Sequence, residues 1–392
     1  MSKDKYHDFV LAYRGVVCMS NTLSLKSDVE DILIKALDSK RDEHLDYDEC
    51  VRLMRSRDVN LIGKVANILK ERLYGKTVSF INNLILNYTN VCITYCKFCA
   101  FYRPPRHSEG YTVSIDECIR RVGIAKELFN IKQVLMQGGH NPDLGIEYYE
   151  SIFKAIKARF PDVAIHALSP SELDMIAKVE RSSTKEILSR LKDAGLDSIP
   201  GGGAEILDDE VKRVISPLKI RSDEWLRIME EAHMLGIKTS ATMMYGHVES
   251  IEHRARSLMR IIDLQKRTHG FIAFIPWNFE PNNTELKREG LVKYSSGGME
   301  LLKMISISRI MLYGLIDHIQ SSWLTNGIGM AQLALHYGAD DFGGTLHGEE
   351  VVSATGARAT TLTQERIVNA IMQVGMRAVE RDNMYNIVRY FD

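Results

Sequence analysis

Asn87-Tyr88-Thr89-Asn90-Val91-Cys92-Ile93-Thr94-Tyr95-Cys96-Lys97-Phe98-Cys99-Ala100-Phe101-Tyr102 follows directly on an apolar run, Phe80–Tyr88. The run reads as a strand and the cysteines as the loop after it. Three of the six cysteines of the chain fall within eight residues, spaced C-x-x-x-C-x-x-C, with the aromatic Phe98 just before the third. Thiolates this close can hold one metal centre. A four-iron cluster needs four ligands and this loop offers three, which leaves one iron open to a substrate or cofactor. The competing arrangement is a closed zinc site in which His107, eight residues past Cys99, supplies the fourth ligand of a Cys3His set.

Downstream of the loop, short apolar runs alternate with amphipathic stretches. The strands expected are Phe80–Tyr88, Gln133–Gln137, Ala164–Leu168, Asp197–Ile199, Thr239–Met244, Gly270–Pro276, His318–Ser322 and Asp341–Leu346. Helical spacing is expected between them, as in Ile115–Phe129, Tyr148–Arg159, Thr184–Ala194, Ser222–Leu235 and Ile251–Arg267. Eight strand-then-helix units argue for an α/β fold with a parallel sheet, either a closed (β/α)8 TIM-type barrel or an open doubly wound sheet. The expected organisation is an N-terminal helical extension over 1–76, a barrel core over 77–350 and a C-terminal helical segment over 351–392. Residues 1–25 read as a loose or docked extension, and Arg366–Phe391 as a packing helix.

Composition sets the limits. The chain has 392 residues, 45% hydrophobic and 26% charged, with a formal net charge of -1, as in an ordinary globular protein. Its charges are mixed, without the basic stripe that nucleic-acid binding requires. No run of 18 apolar residues marks a membrane span, and the first residues lack the apolar core of a signal peptide. The expected location is the cytoplasm, which suits cysteines used as thiolates. Cys18, Cys50 and Cys118 are isolated and read as small apolar residues or inert thiols.

In a barrel, chemistry gathers at the C-terminal ends of the strands, and the unusual residues of this chain gather there. Gln137-Gly138-Gly139-His140 follows the second strand, Ser169-Pro170-Ser171-Glu172 the third, and Gly201-Gly202-Gly203-Ala204-Glu205 the fourth. Glycine without a Cβ permits a tight turn or a close approach by a ligand. Glu205 suits either a helix N-terminus or an acceptor for ligand hydroxyls. His140, His166, His247 and His347 lie near strand ends, and among them a proton acceptor is expected, with Glu172, Glu249 and Glu280 as weaker candidates. The residues we single out for catalysis are His140, His247 and Glu249. Arg103 and Arg106 are either a carboxylate clamp or surface charge.

The cysteine run resembles the signature of the radical S-adenosylmethionine (SAM) enzymes. Longer stretches resemble the subgroup that makes futalosine-derived and deazaflavin compounds, and within it the cyclic dehypoxanthinyl futalosine synthases. They are Leu135–Pro142, Ser198–Leu207, Ala241–Gly246, Ala273–Trp277 and Asp341–Thr345, and the resemblance runs from about residue 27 onward. It implies that Cys92, Cys96 and Cys99 hold a [4Fe-4S] cluster. It also implies that SAM binds the open iron, with Phe98, Gln137, Gly138, Gly139, Ser169 and Glu205 around it. The implied reaction is removal of the C4′ hydrogen of dehypoxanthine futalosine by a 5′-deoxyadenosyl radical, followed by ring closure onto the benzoate. The implied partners are that small substrate and an electron donor such as flavodoxin or ferredoxin, with no nucleic acid and no membrane. Relatives in the subgroup make aminofutalosine, or the deazaflavin precursor from tyrosine, and remain alternatives; a zinc-bound scaffold is the non-enzymatic one. Asp340 and the segment near Gly348 depart from the subgroup pattern, so no role is carried onto residues 340–350.

Overall fold

The first barrel strand comes in two pieces, β1 (Thr77–Ile81) and β2 (Asn83–Leu86), divided at Asn82. The computed structural model from which this follows describes residues 28–38, 44–357 and 361–391. The expected N-terminal extension over 1–25, and Cys18 within it, lie outside the described residues. The other strands are β3 (Gln133–Met136), β4 (Ala164–Ala167), β5 (Ser198–Ile199), β6 (Lys238–Tyr245), β7 (Phe271–Asn278), β8 (His318–Ile319) and β9 (Asp341–Gly344). β2 to β8 are parallel neighbours in chain order. β9 then closes the ring. It pairs in parallel with β1, Ser79 opposite Asp341 and Ile81 opposite Gly344. On its other side the Ser321 N–H donates to the Asp341 carbonyl at 2.8 Å and the Asp340 N–H to the Ile319 carbonyl at 3.1 Å. Every one of the eight strands therefore has two neighbours, which an open doubly wound sheet cannot provide.

The connecting helices bury one stripe each. In Ile115–Phe129 the buried residues Cys118, Ile119, Val122 and Ala125 recur at helical spacing. Ser114 caps that helix by accepting the Glu117 N–H, and Asn130 ends it in a left-handed conformation. Gly298–Leu312 is apolar on nearly every face. That composition requires cover on all sides, and Val59–Tyr74 and Tyr47–Arg55 of the N-terminal region pack on it.

The expected helix over Arg366–Phe391 is corrected. A helix occupies Gln364–Gln373, and after Gly375, at φ 74°, the chain forms β10 (Arg377–Arg381) and β11 (Ile387–Tyr390). β10 pairs in parallel with β1, Thr77 opposite Arg377, and β11 runs antiparallel to β10. Arg, Ala and Glu favour helix locally, and pairing with an otherwise open stretch of β1 outweighs that preference. The turn leaving β10 brings Asn383 to Gln133 and Ser198, the first residues of β3 and β5. The C-terminal hairpin thus floors the barrel at the end opposite the cysteine loop.

Candidate active site

The cysteine loop is tied down by its own backbone. The Cys92 N–H donates to the Arg103 carbonyl at 2.9 Å and the Arg103 N–H to the Asn90 carbonyl at 2.8 Å. Arg103 spends its guanidinium on the carbonyls of Ala100, Phe101 and Tyr102 and on Glu109. It is a brace for the loop, not a free carboxylate clamp.

Cys92, Cys96 and Cys99 are free thiols that line one cavity of about 380 Å³ inside the barrel mouth. The Thr94 hydroxyl lies 3.0 Å from the Cys92 sulfur and 3.5 Å from that of Cys96. Burial pushes the Cys96 thiol up to about 12 and raises that of Cys99. Among the described residues the one group of ligand atoms close enough to share a single ion is Asp208, Glu210 and His253. The three sulfurs do not all lie that close to one another. Such spacing fits a cluster whose cysteines sit on different irons. His107 does not line the cavity, and its Nδ1 accepts the Glu109 N–H at 3.1 Å. The Cys3His zinc set is not assembled.

The loops after β2, β3 and β4 meet at one buried carboxylate. Glu172 accepts the Tyr88 hydroxyl at 2.8 Å, the Gly138 N–H at 2.9 Å, and both the N–H and the hydroxyl of Ser169, at 2.7 and 2.6 Å. Gly139 has a packing reason to be glycine. A Cβ there would lie 2.2 Å from the Val91 carbonyl oxygen, where the cysteine loop crosses it. The approach that demands glycine is made by the protein's own backbone.

A sequence model of the radical SAM superfamily matches residues 86–261, and one of the CofH/MqnC C-terminal region matches residues 268–391. A cyclic dehypoxanthine futalosine synthase of Streptomyces coelicolor is 40% identical over 364 residues, covering 92% of this chain and 89% of that protein. The chain belongs to the radical SAM superfamily. A second cyclic dehypoxanthine futalosine synthase, from Halalkalibacterium halodurans, is 39% identical and covers 93% of this chain and 96% of its own length. A 5-amino-6-(D-ribitylamino)uracil–L-tyrosine 4-hydroxyphenyl transferase of Methanothermobacter thermautotrophicus is 37% identical over 93% of this chain and 98% of its own length. Among solved structures, methylornithine synthase (PylB) superposes with a TM-score of 0.67 at 19% identity, over 88% of this chain and 96% of that one. The hydrogenase maturase HydG gives 0.70 at 16% identity, over 90% and 75%. Both likenesses are of fold.

A radical SAM enzyme uses a [4Fe-4S] cluster and SAM, and the residues of this site fit both. Phe98, Gln137, Gly138, Gly139, Ser169 and Glu205 line the same cavity as the three cysteines. Glu205 carries the most telling mismatch. Its Oε1 accepts the Lys219 ammonium at 2.9 Å, while its Oε2 is buried without a donor. A buried carboxylate oxygen without a hydrogen bond is costly, and a ligand hydroxyl would satisfy it. Burial works to raise the Glu205 carboxyl, but Lys219 and Lys212 outweigh it and hold it below its ordinary value. Lys219 also stands 5.5 Å from the centre of the Phe98 ring. Nothing near Pro217-Leu218-Lys219 marks that lysine in the sequence; its role appears only when the chain brings it to Glu205.

The histidine expectations divide. His140 lines the cavity beside the cysteines, and burial, with Lys219 and Lys178, lowers its imidazole to about 3. His166 lines the deeper half. His247 and Glu249 do not line the cavity, so the fold does not bring them together with His140. The His247 ring accepts the Val248 N–H at 2.8 Å and faces the Met244 carbonyl at 3.1 Å, and burial lowers its pKa. Glu249 accepts the N–H groups of Gly246 and His247 and pairs with Arg254 at 2.6 Å. Together they shape the loop after β6. His347 stacks on Phe129 with ring centres 3.9 Å apart, also outside the cavity. Glu280 is spent on Asn282. Cys50 and Cys118 are buried, which fits small apolar residues and not surface thiols.

Proposed function

We propose that this radical SAM enzyme cyclises dehypoxanthine futalosine to cyclic dehypoxanthine futalosine, a step toward menaquinone. The observation that carries the reading is the shared cavity: three thiols, the orphaned Glu205 Oε2 and a further polar floor face one space in the barrel mouth. The similarity to the two synthases over nine-tenths of the chain supports the choice of substrate. When bound, the cluster and SAM supply a carbon radical that takes one hydrogen atom from the substrate.

The chain's own residues do the rest. Cys92, Cys96 and Cys99 hold the cluster, and Glu205, Gly139, Gln137, Ser169 and Phe98 place SAM against it. The barrel wall, with Ile275, Trp277 and Leu346 among its lining, keeps water from the reacting carbon, which is positioning and exclusion in the sense of enforced proximity. His140 receives the proton lost when the benzoate ring regains aromaticity, and one electron leaves with it to an external carrier. A ring carbon that rearomatises releases its proton readily, so a weakly basic imidazole suffices. The electron that starts each turnover comes from an external donor of the flavodoxin or ferredoxin kind.

Reduced enzyme, SAM and substrate carrying deuterium at C4′ should give a cyclised product, methionine and 5′-deoxyadenosine that holds the label. Turnover instead of tyrosine with 5-amino-6-(D-ribitylamino)uracil, the activity named in the archaeal relative, would replace the substrate and retain the cofactors.

A further inference from the structure

The deep half of the cavity contains a relay of side-chain amides whose direction is set by one backbone N–H. The Leu346 N–H donates to Asn83 Oδ1 at 2.9 Å, so the Asn83 nitrogen points the other way. That nitrogen donates to Gln133 Oε1 at 3.3 Å. The Gln133 nitrogen then donates to Asn383 Oδ1 at 2.6 Å, and the Asn383 nitrogen to the Ser198 hydroxyl oxygen at 2.9 Å. Ser198 has one proton and two acceptors in reach: His166 Nδ1 at 2.6 Å and Asn383 Oδ1 at 3.1 Å. The Asn383 oxygen already takes the Gln133 proton and is the more distant, so the hydroxyl proton goes to His166. An imidazole that accepts at Nδ1 and is neutral carries its proton on Nε2. His166 lines the cavity. Gly344 makes room for the start of the relay, since a Cβ there would sit 2.3 Å from Asn83 Oδ1.

We propose that His166 is a substrate-binding hydrogen-bond donor, held as the Nε2–H tautomer by the Leu346–Asn83–Gln133–Asn383–Ser198 relay, and that it meets an oxygen acceptor of the compound in the lower cavity. The charged groups facing it are Arg381, whose charge is taken by Asp341 at 2.6 Å, and no carboxylate bonds to its ring. Burial, with Arg381 second, lowers the imidazole to about 3, against the opposing pull of the Ser198 main-chain carbonyl beside the ring, so it stays a neutral donor across the working range of pH. A strand-end histidine such as His166 suits a base by sequence; the relay gives it the opposite chemistry. Asn383 comes from the C-terminal hairpin, so that hairpin reaches into the substrate site through one side chain. The oxygen is a ribose hydroxyl or a carboxylate oxygen, both present in the substrate proposed above, and the ligand half of the inference rests on that reading.

The tautomer is tested first, with the cluster-loaded enzyme and without substrate. Long-range proton–nitrogen correlation on 15N-histidine-labelled protein, with His166→Gln used to assign the signal, should show His166 as Nε2–H, unchanged between pH 6 and pH 8. A Nδ1–H or protonated ring would overturn the relay, whatever the substrate is. Asn383→Asp replaces the terminal donor with an acceptor and should move the His166 proton to Nδ1. Should that variant not fold, Ser198→Ala must change the His166 nitrogen shifts; identical shifts would overturn the relay equally. For the ligand half, His166→Leu should weaken dehypoxanthine futalosine binding about tenfold, the worth of one hydrogen bond, while His166→Gln keeps most of it and SAM affinity stays level in both. Unchanged substrate affinity in His166→Leu would overturn the contact. A loss that disappears with the methyl ester of the substrate assigns the oxygen to the carboxylate, and a loss that persists assigns it to the ribose.

Discussion

At Glu205 two demands meet that no other residue of the cavity combines. Its backbone sits at φ 45°, in the left-handed region, and one carboxylate oxygen is buried without a donor. Both are costs that a protein retains where a ligand repays them. Glu205→Gln keeps the shape and removes the charge, so SAM should bind more weakly by about 1.5–3 kcal/mol, the worth of a charged hydrogen bond. Titration calorimetry on cluster-loaded protein measures it, and equal affinity would assign Glu205 to loop structure alone. Gly139→Ala is a test of another kind. Its Cβ would collide with the backbone carbonyl of Val91, one residue from Cys92, so the variant should fold its barrel but retain little iron and sulfide. Full cluster content in that variant would show that the loop can yield. At this scale the sequence was legible wherever the chemistry lies in one local run. The cysteines, Phe98, Gln137, Ser169 and Glu205 all reach the cavity from short motifs at strand ends. Lys219 and Asn383 were not legible, because each acts on a partner far away in the chain. His247 shows that a strand-end histidine can also bond the backbone of its own loop.

The elements whose type the sequence revealed are those with repeated local signals. All eight barrel strands lie within a few residues of their apolar runs, and Ser114, Ser169 and Ser183 cap the helices that follow them. The hairpin of β10 and β11 was missed because its residues favour helix and its pairing partner, β1, lies about 300 positions earlier. Gly375 and the Asp382–Asn386 turn were the available signs of it. The hairpin's strongest tie is Arg381, which is buried and pairs with Asp341 through Nε at 2.6 Å and a second nitrogen at 3.2 Å. Arg381→Met keeps the bulk and removes the charge, leaving the Asp341 carboxylate inside the barrel with, among the described residues, only the side chains of Ser79 and Gln320 as donors. Breaking a buried pair from one side costs about 3–5 kcal/mol. Urea unfolding should show a loss of that size, and the double variant Arg381→Met, Asp341→Asn should recover part of it. A loss below about 1 kcal/mol would mean that the pair behaves as an exposed one.

Ring closure places a buried, hydrogen-bonded carboxylate at the last seam of the barrel. Asp340 lies just before β9, next to the end of β8, and its side chain accepts from Arg309, from the Ile319 N–H at 2.7 Å and from His318 at 2.7 Å. Arg309 is itself fully buried and also holds the Gly338 carbonyl at 2.8 Å, so one network joins the helix Gly298–Leu312 to both strands of the seam. Burial alone would raise the Asp340 carboxyl, but His318 and then Arg309 outweigh it and hold it below its ordinary value. The sign of the pH effect follows. A group with a depressed folded pKa contributes its full stability above the unfolded value, about 3.9 for aspartate. As the pH drops below that, the unfolded chain takes up a proton that the folded chain does not, and stability is lost until the folded pKa is passed. Asp340→Asn removes this proton from the balance. It should be less stable at neutral pH, because Arg309 loses its carboxylate. Between the unfolded and folded pKa values its stability should also fall less steeply with acid, by up to about 1.4 kcal/mol per pH unit. Unfolding free energies measured at intervals from pH 5 down to pH 3 provide the comparison. Parallel curves for the two proteins would mean that Asp340 titrates alike in the folded and unfolded chains, and that the seam is held by backbone pairing without help from its charges.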